Sequence, residues 1–287
     1  MSKQAPFTIK IFVADGDPDG LRVVERSNWT GKALMFPRAL YPDVRSRSEF
    51  QQTGVYLLLG PSSDGTGETL YVGEGDPVKP RFEDHYVKKD FWTRAVFFVA
   101  PGQLNKAHVQ FLEAQLVSLA GAAKRMTLEN GNRPTEPTLS EADRADMEVF
   151  LHNMLGVLPV LGIQAFDQTI AGPGTLNPVF FCKGRGASAT GQDTPQGFVV
   201  KSGSQAADCE TPSLKGFPIV IRTRDELKKR GVLVPDGGKL RFTQSYAFNS
   251  PSLAAAVVLG RSANGRVDWK DAAGRTLKEY QQSQAEG

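Results

Sequence analysis

Gly54-Val55-Tyr56-Leu57-Leu58-Leu59 and Thr69-Leu70-Tyr71-Val72-Gly73 are two short apolar runs, each with a tyrosine two positions from a glycine. The Ser/Gly/Asp-rich loop from Gly60 to Gly67 separates them. Runs of this length, bounded by turn-forming residues, read as strands. The segments downstream of them set the fold. A helical segment spans Val78 to Tyr86, and an apolar strand spans Arg94 to Ala100. A long helix then runs from Leu104 to about Ala123, with Val109, Leu112, Leu116 and Leu119 recurring at helical spacing along one buried face. The order strand, strand, helix, strand, helix predicts an α/β (α+β) domain: a small antiparallel or mixed sheet flanked by helices.

Upstream, Thr8 to Val13 and Leu21 to Arg26 have strand composition around the turn-prone run Asp15-Gly16-Asp17-Pro18-Asp19-Gly20. They predict a β-rich N-terminal segment over residues 1–49, followed by a polar stretch from Asp43 to Gln52. Downstream, Ser140 is a good N-cap for a helix whose first turn holds Glu141 and Asp143. That helix carries Met147, Phe150, Leu151 and Met154 on one face and ends near Gly156. Residues 50–170 therefore form the expected central domain. Ala171-Gly172-Pro173-Gly174 reads as a linker to a small α+β C-terminal domain over residues 175–284. There Val179-Phe180-Phe181-Cys182 and Gly197-Phe198-Val199-Val200 read as paired strands. Arg222 to Arg230 reads as a charged helix stopped by Gly231, and Ser250-Pro251 opens a short helix with proline at its first position.

At 287 residues, two domains are the default. The 40% hydrophobic and 23% charged fractions are those of an ordinary globular protein. The longest apolar runs, such as Ala254 to Gly260, fall far short of the roughly 20 residues of a membrane span. Met1 to Lys10 has no apolar signal region. Cys182 and Cys209 lack a CxxC partner, which argues against a zinc cluster or a disulfide framework. Together these features predict a cytoplasmic protein with no membrane partner. A net charge of +3 permits nucleic-acid binding through a local patch without demanding it.

Chemistry-bearing residues come after the two strands in order. Arg81 lies ten positions after Tyr71, enough to leave a strand and enter the next helix. His85 is four residues further and shares a helix face with Arg81. Glu113 sits beside Leu112, at the edge of the buried stripe of the following helix. In this order the residues resemble the GIY-YIG nuclease family. Gly54-Val55-Tyr56 matches its first motif and Tyr71-Val72-Gly73 its second. Arg81 takes the place of the helix arginine, and Glu113, in Phe111-Leu112-Glu113-Ala114, that of the metal-binding glutamate. His85 matches a histidine found in some restriction-type members. The resemblance covers roughly residues 50 to 135. Glu74 departs from it, since repair-type members often carry a lysine directly after the second motif. The late asparagine is also displaced, with Asn130 or Asn132 as candidates for a phosphate-contacting or structural role.

The resemblance implies a metal-dependent endonuclease acting on DNA, in restriction, repair or mobile-element biology, with Mg²⁺ or Mn²⁺ as cofactor; RNA is left open. Elementary chemistry agrees. Phosphodiester hydrolysis needs an activated water and stabilisation of charge on the phosphoryl and leaving oxygens. Glu113 would hold the metal, Arg81 would grip the scissile phosphate through its fork, and Tyr56 or Tyr71 would contact the water. A phenol titrating near pH 10 needs help as a base, which His85 or local positive charge could supply. Two rival readings stand beside this one: a nucleic-acid-binding protein that keeps the fold without catalysis, and a protein-interaction scaffold.

The C-terminal region offers positive charge instead of a catalytic set: Lys183, Arg185, Lys201, the Arg222 to Arg230 segment, Lys239, Arg241, Arg261, Arg266 and Lys270. Gly231-Val232-Leu233, Asp236-Gly237, Ser250-Pro251-Ser252 and Ser262-Ala263-Asn264-Gly265 through Trp269 resemble a small domain fused to restriction and DNA-methylation proteins, also seen behind GIY-YIG domains. That resemblance implies DNA contact, with Arg222, Arg224, Lys228, Lys229, Asn264, Arg266 and Trp269 as candidate contact residues.

Overall fold

The computed structural model describes residues 6–63, 67–166, 178–195 and 197–285. The chain divides into two compact units, 1–168 and 169–287, each α+β and each built on an open seven-stranded sheet. The expected linker at Ala171 to Gly174 lies outside the described residues.

In the first unit the elements are β1 (Ile9–Val13), β2 (Arg22–Arg26), β3 (Lys32–Pro37), α1 (Tyr41–Val44), β4 (Gly54–Pro61), β5 (Glu68–Gly75), α2 (Lys79–Lys88), β6 (Arg94–Val99), α3 (Lys106–Ala123), β7 (Thr127–Leu128) and α4 (Glu141–Val157). The spatial order of the strands is β1-β2-β3-β6-β4-β5-β7. The N-terminal hairpin forms as expected, but it is not a separate segment. The unforeseen strand β3 runs antiparallel to β6 and carries the hairpin into the central sheet. Four of its residues, Ala33 to Phe36, are buried, so it reads as an apolar run without the alternation that marks a half-exposed strand.

Both faces of this sheet are covered, and side-chain alternation sorts the residues between them. Val55, Leu57, Leu59, Leu70 and Val72 pack with Phe111, Leu112 and Leu116 of α3 and with Phe150 and Met154 of α4. Tyr56, Leu58, Phe97 and Phe36 face the other way, against Phe82 of α2 and against Tyr41 and Phe50. The stretch from Asp43 to Gln52, read as polar, thus contributes an aromatic, Phe50, to a core. Ser140 caps α4 as predicted, its hydroxyl accepting from the Asp143 N–H at 3.1 Å.

The second unit contains β8 (Val179–Gly184), β9 (Ala187–Thr194), β10 (Gly197–Val200), β11 (Gln205–Ala207), α5 (Pro218–Lys229), β12 (Leu233–Asp236), β13 (Lys239–Phe242), β14 (Tyr246–Phe248), α6 (Pro251–Leu259), α7 (Gly265–Asp268) and α8 (Leu277–Ala285). The pairing of β8 with β10 expected from sequence is replaced: each pairs with β9, whose polar sequence ASATGQDT hid a strand. Helix α6 is buried from Ala254 to Leu259, with Ser250 as its cap and Gly260 in the left-handed region at φ 61°.

Candidate active site

The five residues singled out for hydrolysis come from four elements and converge around strand β5. Tyr56 projects from β4 and Tyr71 from β5. The register sets Tyr56 opposite Gly73 and Leu58 opposite Tyr71, so the two tyrosines are diagonal neighbours on one face. Their ring centroids lie 6.3 Å apart. Gly73 is bare for a steric reason. A Cβ there would stand 2.4 Å from both Cζ and the hydroxyl of Tyr56, whose side chain crosses it. Gly75 serves a similar approach, because a Cβ there would be 2.7 Å from the Val78 Cα, where the chain turns into α2.

Helix α2 brings His85 and Arg81 over the tyrosines. His85 is buried, with its Nε2 2.7 Å from the Tyr56 hydroxyl and its ring centroid 4.9 Å from that of Tyr71. Burial, with Arg81 and Lys89 nearby, lowers its pKa to about 4, so the imidazole is neutral at pH 7. A neutral ring that takes the Tyr56 O–H on Nε2 carries its proton on Nδ1. Tyr56 is wholly buried, and desolvation drives its pKa far above the ordinary phenol value, with Arg81 partly offsetting the effect. Tyr71 is only half-buried. Its pKa is also raised by burial and pulled back by the charge of Arg81 and by hydrogen bonds from Arg81 and Tyr56. Lys89 Nζ lies 4.6 Å from the centre of the Tyr71 ring.

Glu113 reaches the same site from α3. Burial and then the charge of Glu74 raise its pKa to about 7, while Arg81 and Lys106 act in the opposite sense. Among the described residues its carboxyl has no hydrogen bond or salt bridge. Glu74, the departure noted in the sequence, is held by Lys106, whose Nζ donates to its two oxygens at 2.6 and 2.8 Å. Reasoning from the sequence passed over Lys106, although it lies seven residues before Glu113, two turns along the same helix face.

The late asparagines separate. Asn130 extends the pairing of β7 along β5: its Oδ1 accepts from the Val72 N–H at 2.9 Å and its Nδ2 donates to the Val72 carbonyl at 2.8 Å. Both ends of its amide are thereby engaged, which corrects the phosphate-contacting alternative to a structural one. Asn132 is exposed.

Two candidate contacts in the second unit are also corrected. Arg224 is fully buried, bonded through Nε to Glu210 at 3.0 Å and through its other nitrogens to the carbonyls of Val257, Ala207 and Asp208. Its guanidinium satisfies backbone acceptors around the end of α6 and cannot reach a ligand. Trp269 is buried too, with its ring 4.6 Å from that of Phe198 and its indole N–H on the Pro251 carbonyl. Asn264 caps α7 through the Arg266 N–H. Arg222, Lys228, Lys229 and Arg266 are exposed.

Residues 180–281 match the family model of a domain of unknown function, DUF4357. The match covers most of the second unit. No family model matched residues 50–135, where the nuclease likeness rests on the ordered residues themselves. No curated protein and no solved structure matches the chain.

Among the described residues no helix is long and apolar enough to cross a membrane, and no cluster of three or more histidine, cysteine or carboxylate side chains could hold a metal. A metal at this site would therefore rest on Glu113, with Glu74 nearby. A half-buried carboxyl with no hydrogen bond or salt bridge, its ionised form disfavoured by burial, suits a divalent cation, which would favour the ionised form.

Proposed function

We propose that the first unit is a metal-dependent endonuclease that hydrolyses DNA phosphodiester bonds. The observation that carries the reading is convergence: Tyr56, Tyr71, Arg81, His85 and Glu113, scattered along the sequence, interact with one another at one edge of the sheet. Glu113, with water and phosphate oxygens completing the shell, would hold a Mg²⁺ or Mn²⁺ ion. When bound, such an ion stabilises charge on the phosphoryl and leaving oxygens.

The protein's own groups divide the remaining work. Arg81 is exposed and permanently charged, and its fork grips a phosphate oxygen pair. Tyr71 is the tyrosine open enough to meet the attacking water. Its hydroxyl takes the water's proton while its own passes to Tyr56, and the Tyr56 proton passes to Nε2 of His85. With a pKa of about 4, His85 is a poor proton acceptor in the free protein. A bound phosphate anion offsets the charge of Arg81 that helps hold that value down, so the substrate itself strengthens the base. Lys106 pairs with Glu74, which lessens the repulsion this second carboxylate exerts on the phosphate.

Supercoiled plasmid incubated with Mg²⁺ or Mn²⁺ tests this reading. The wild-type chain should nick it, and Arg81→Ala and Glu113→Ala should leave it intact. Equal nicking by both variants would overturn the assignment, and salt-sensitive binding without cleavage under either metal would favour a non-catalytic binding protein.

A further inference from the structure

Strand β8 alternates cleanly. Phe180 and Cys182 are buried in the core of the second unit, while Phe181 and Lys183 point outward. Phe181 is 37% exposed, high for so large an apolar side chain on a sheet face. On one side its neighbours on β9 are small and polar, with Thr190 opposite Phe181 and Ser188 opposite Lys183, so nothing bulky covers the ring. On its other side Lys270 forms an antiparallel bridge with it: the Phe181 N–H donates to the Lys270 carbonyl at 2.6 Å, and the Lys270 N–H donates back at 3.0 Å. Residues opposed in this way project to the same face. An uncovered phenyl ring is thus flanked by two exposed ammonium groups.

These side chains line a cavity of about 660 Å³, with Val267, itself 47% exposed, as a second apolar wall. That volume lies within the range of roughly 300–1,000 Å³ typical of small-ligand sites. Two carboxylates also line it, and both are neutralised. Asp268 accepts from Arg261 at 2.8 Å and from the Asn264 N–H at 2.9 Å. Asp271 accepts from Arg275 Nε at 2.8 Å and from the N–H groups of Ala273 and Arg275. Lys183 and Lys270, by contrast, form no salt bridge among the described residues. The cavity therefore offers an aromatic stacking surface beside two ammonium groups that are not held in salt bridges among the described residues.

We propose that this cavity binds an unpaired nucleotide of a DNA strand, its base stacked on Phe181 and its phosphate held by Lys183 and Lys270. A base within a duplex is stacked on both faces and cannot present itself to a side chain on a sheet; an unpaired base can. The site depends only on residues of the second unit, so it goes beyond the hydrolytic reading and can stand or fall without it.

The test is fluorescence anisotropy of the full-length chain with a labelled single-stranded oligonucleotide, a duplex of the same sequence and a mononucleotide, all without divalent metal so that cleavage plays no part. Single strands should bind more tightly than the duplex. Phe181→Ala should weaken single-strand binding about tenfold, within the range for loss of one base–aromatic stack, and leave the salt dependence unchanged. Lys183→Gln and Lys270→Gln should each weaken binding and lower the slope of log affinity against log salt by roughly 0.7. Unaltered thermal unfolding of these surface variants would establish that the fold is intact. Wild-type affinity in Phe181→Ala, or a duplex bound as tightly as the single strand, would overturn the proposal. A mononucleotide bound as tightly as the oligonucleotide would also overturn it, identifying a free nucleotide as the ligand.

Discussion

Gly73→Ala is the sharpest single perturbation the site offers. The added Cβ would lie 2.4 Å from Cζ and from the hydroxyl of Tyr56, where ordinary contact begins at 3.4 Å. The ring must therefore retreat by roughly 1 Å or the two strands must part, and neither is easy in a close-packed interior. Behind the Tyr56 ring, Phe82 already packs at a centroid distance of 4.8 Å, and the hydroxyl is tied to His85 at 2.7 Å. Overpacking of this kind costs about 1–3 kcal/mol. A displacement of about 1 Å in a group that relays a proton costs about a hundredfold in rate. Urea unfolding and single-turnover plasmid nicking read the two effects separately, so the stability arm holds even where no cleavage is seen. Gly121→Ala is the control: a Cβ there meets nothing within 4 Å, and alanine in the interior of α3 should stabilise by roughly 0.5–1 kcal/mol. A Gly73→Ala protein with wild-type stability and rate would refute the claim that Tyr56 is held against that backbone.

The same geometry fixes three further outcomes. His85 takes up a proton near pH 6.5 when unfolded but only near about 4 when folded, so acid favours the unfolded chain. Stability should fall by up to roughly 3 kcal/mol as pH drops through that window. Urea midpoints for wild type and His85→Gln should diverge there, and parallel pH profiles would count against it. Glu74→Gln removes the second-largest influence raising Glu113 to about 7, so the acid limb of the nicking-rate profile should move to lower pH; an unmoved limb would contradict that coupling. Arg224→Met leaves Glu210 and three carbonyls without their buried partner and should cost about 3–5 kcal/mol in unfolding of the second unit. A loss of DNA affinity in that variant without a loss of stability would restore Arg224 as a contact residue.

Periodicity made the helices legible, because α3 and α4 each carry a one-sided apolar stripe, and the cap at Ser140 fixed a boundary. Two of the strands that escaped notice lacked the bulky apolar–polar alternation that marks a strand in sequence. Strand β3 is buried on both faces, and β9, which pairs with β8, β10 and β11, turns only small residues such as Ala187 and Ala189 inward. Charge was the least legible quantity. A run of arginines looks like a binding surface on paper, yet Arg224 bonds buried carbonyls, and Arg185 donates to the carbonyls of Cys209, Leu259 and Gly260 where α6 ends. Helix C-termini gather cationic side chains because their last carbonyls lack partners, and no sequence pattern marks which arginine will answer that need. Lys183 and Lys270 belong to the same scatter of positive charge, set apart only by a bridge between residues 181 and 270.

The two glycine-tyrosine strands bear on catalysis less directly than their order suggests. Gly73 is required by the ring of Tyr56, and Gly75 by the approach of α2, so both glycines answer to packing alone. A chain that lost Arg81 and Glu113 could keep every one of those contacts, because Arg81 is exposed and Glu113 is bonded to nothing among the described residues. The scaffold can therefore outlive the chemistry, and the strand motif by itself cannot separate an enzyme from a binding protein. What separates them is whether a carboxyl held near pKa 7 and an exposed guanidinium act on the same phosphate. In an enzyme, Glu113→Gln should abolish cleavage while leaving DNA binding intact or stronger, since it removes a developing negative charge from a site built to receive a phosphate. In a binding protein it should change nothing but affinity.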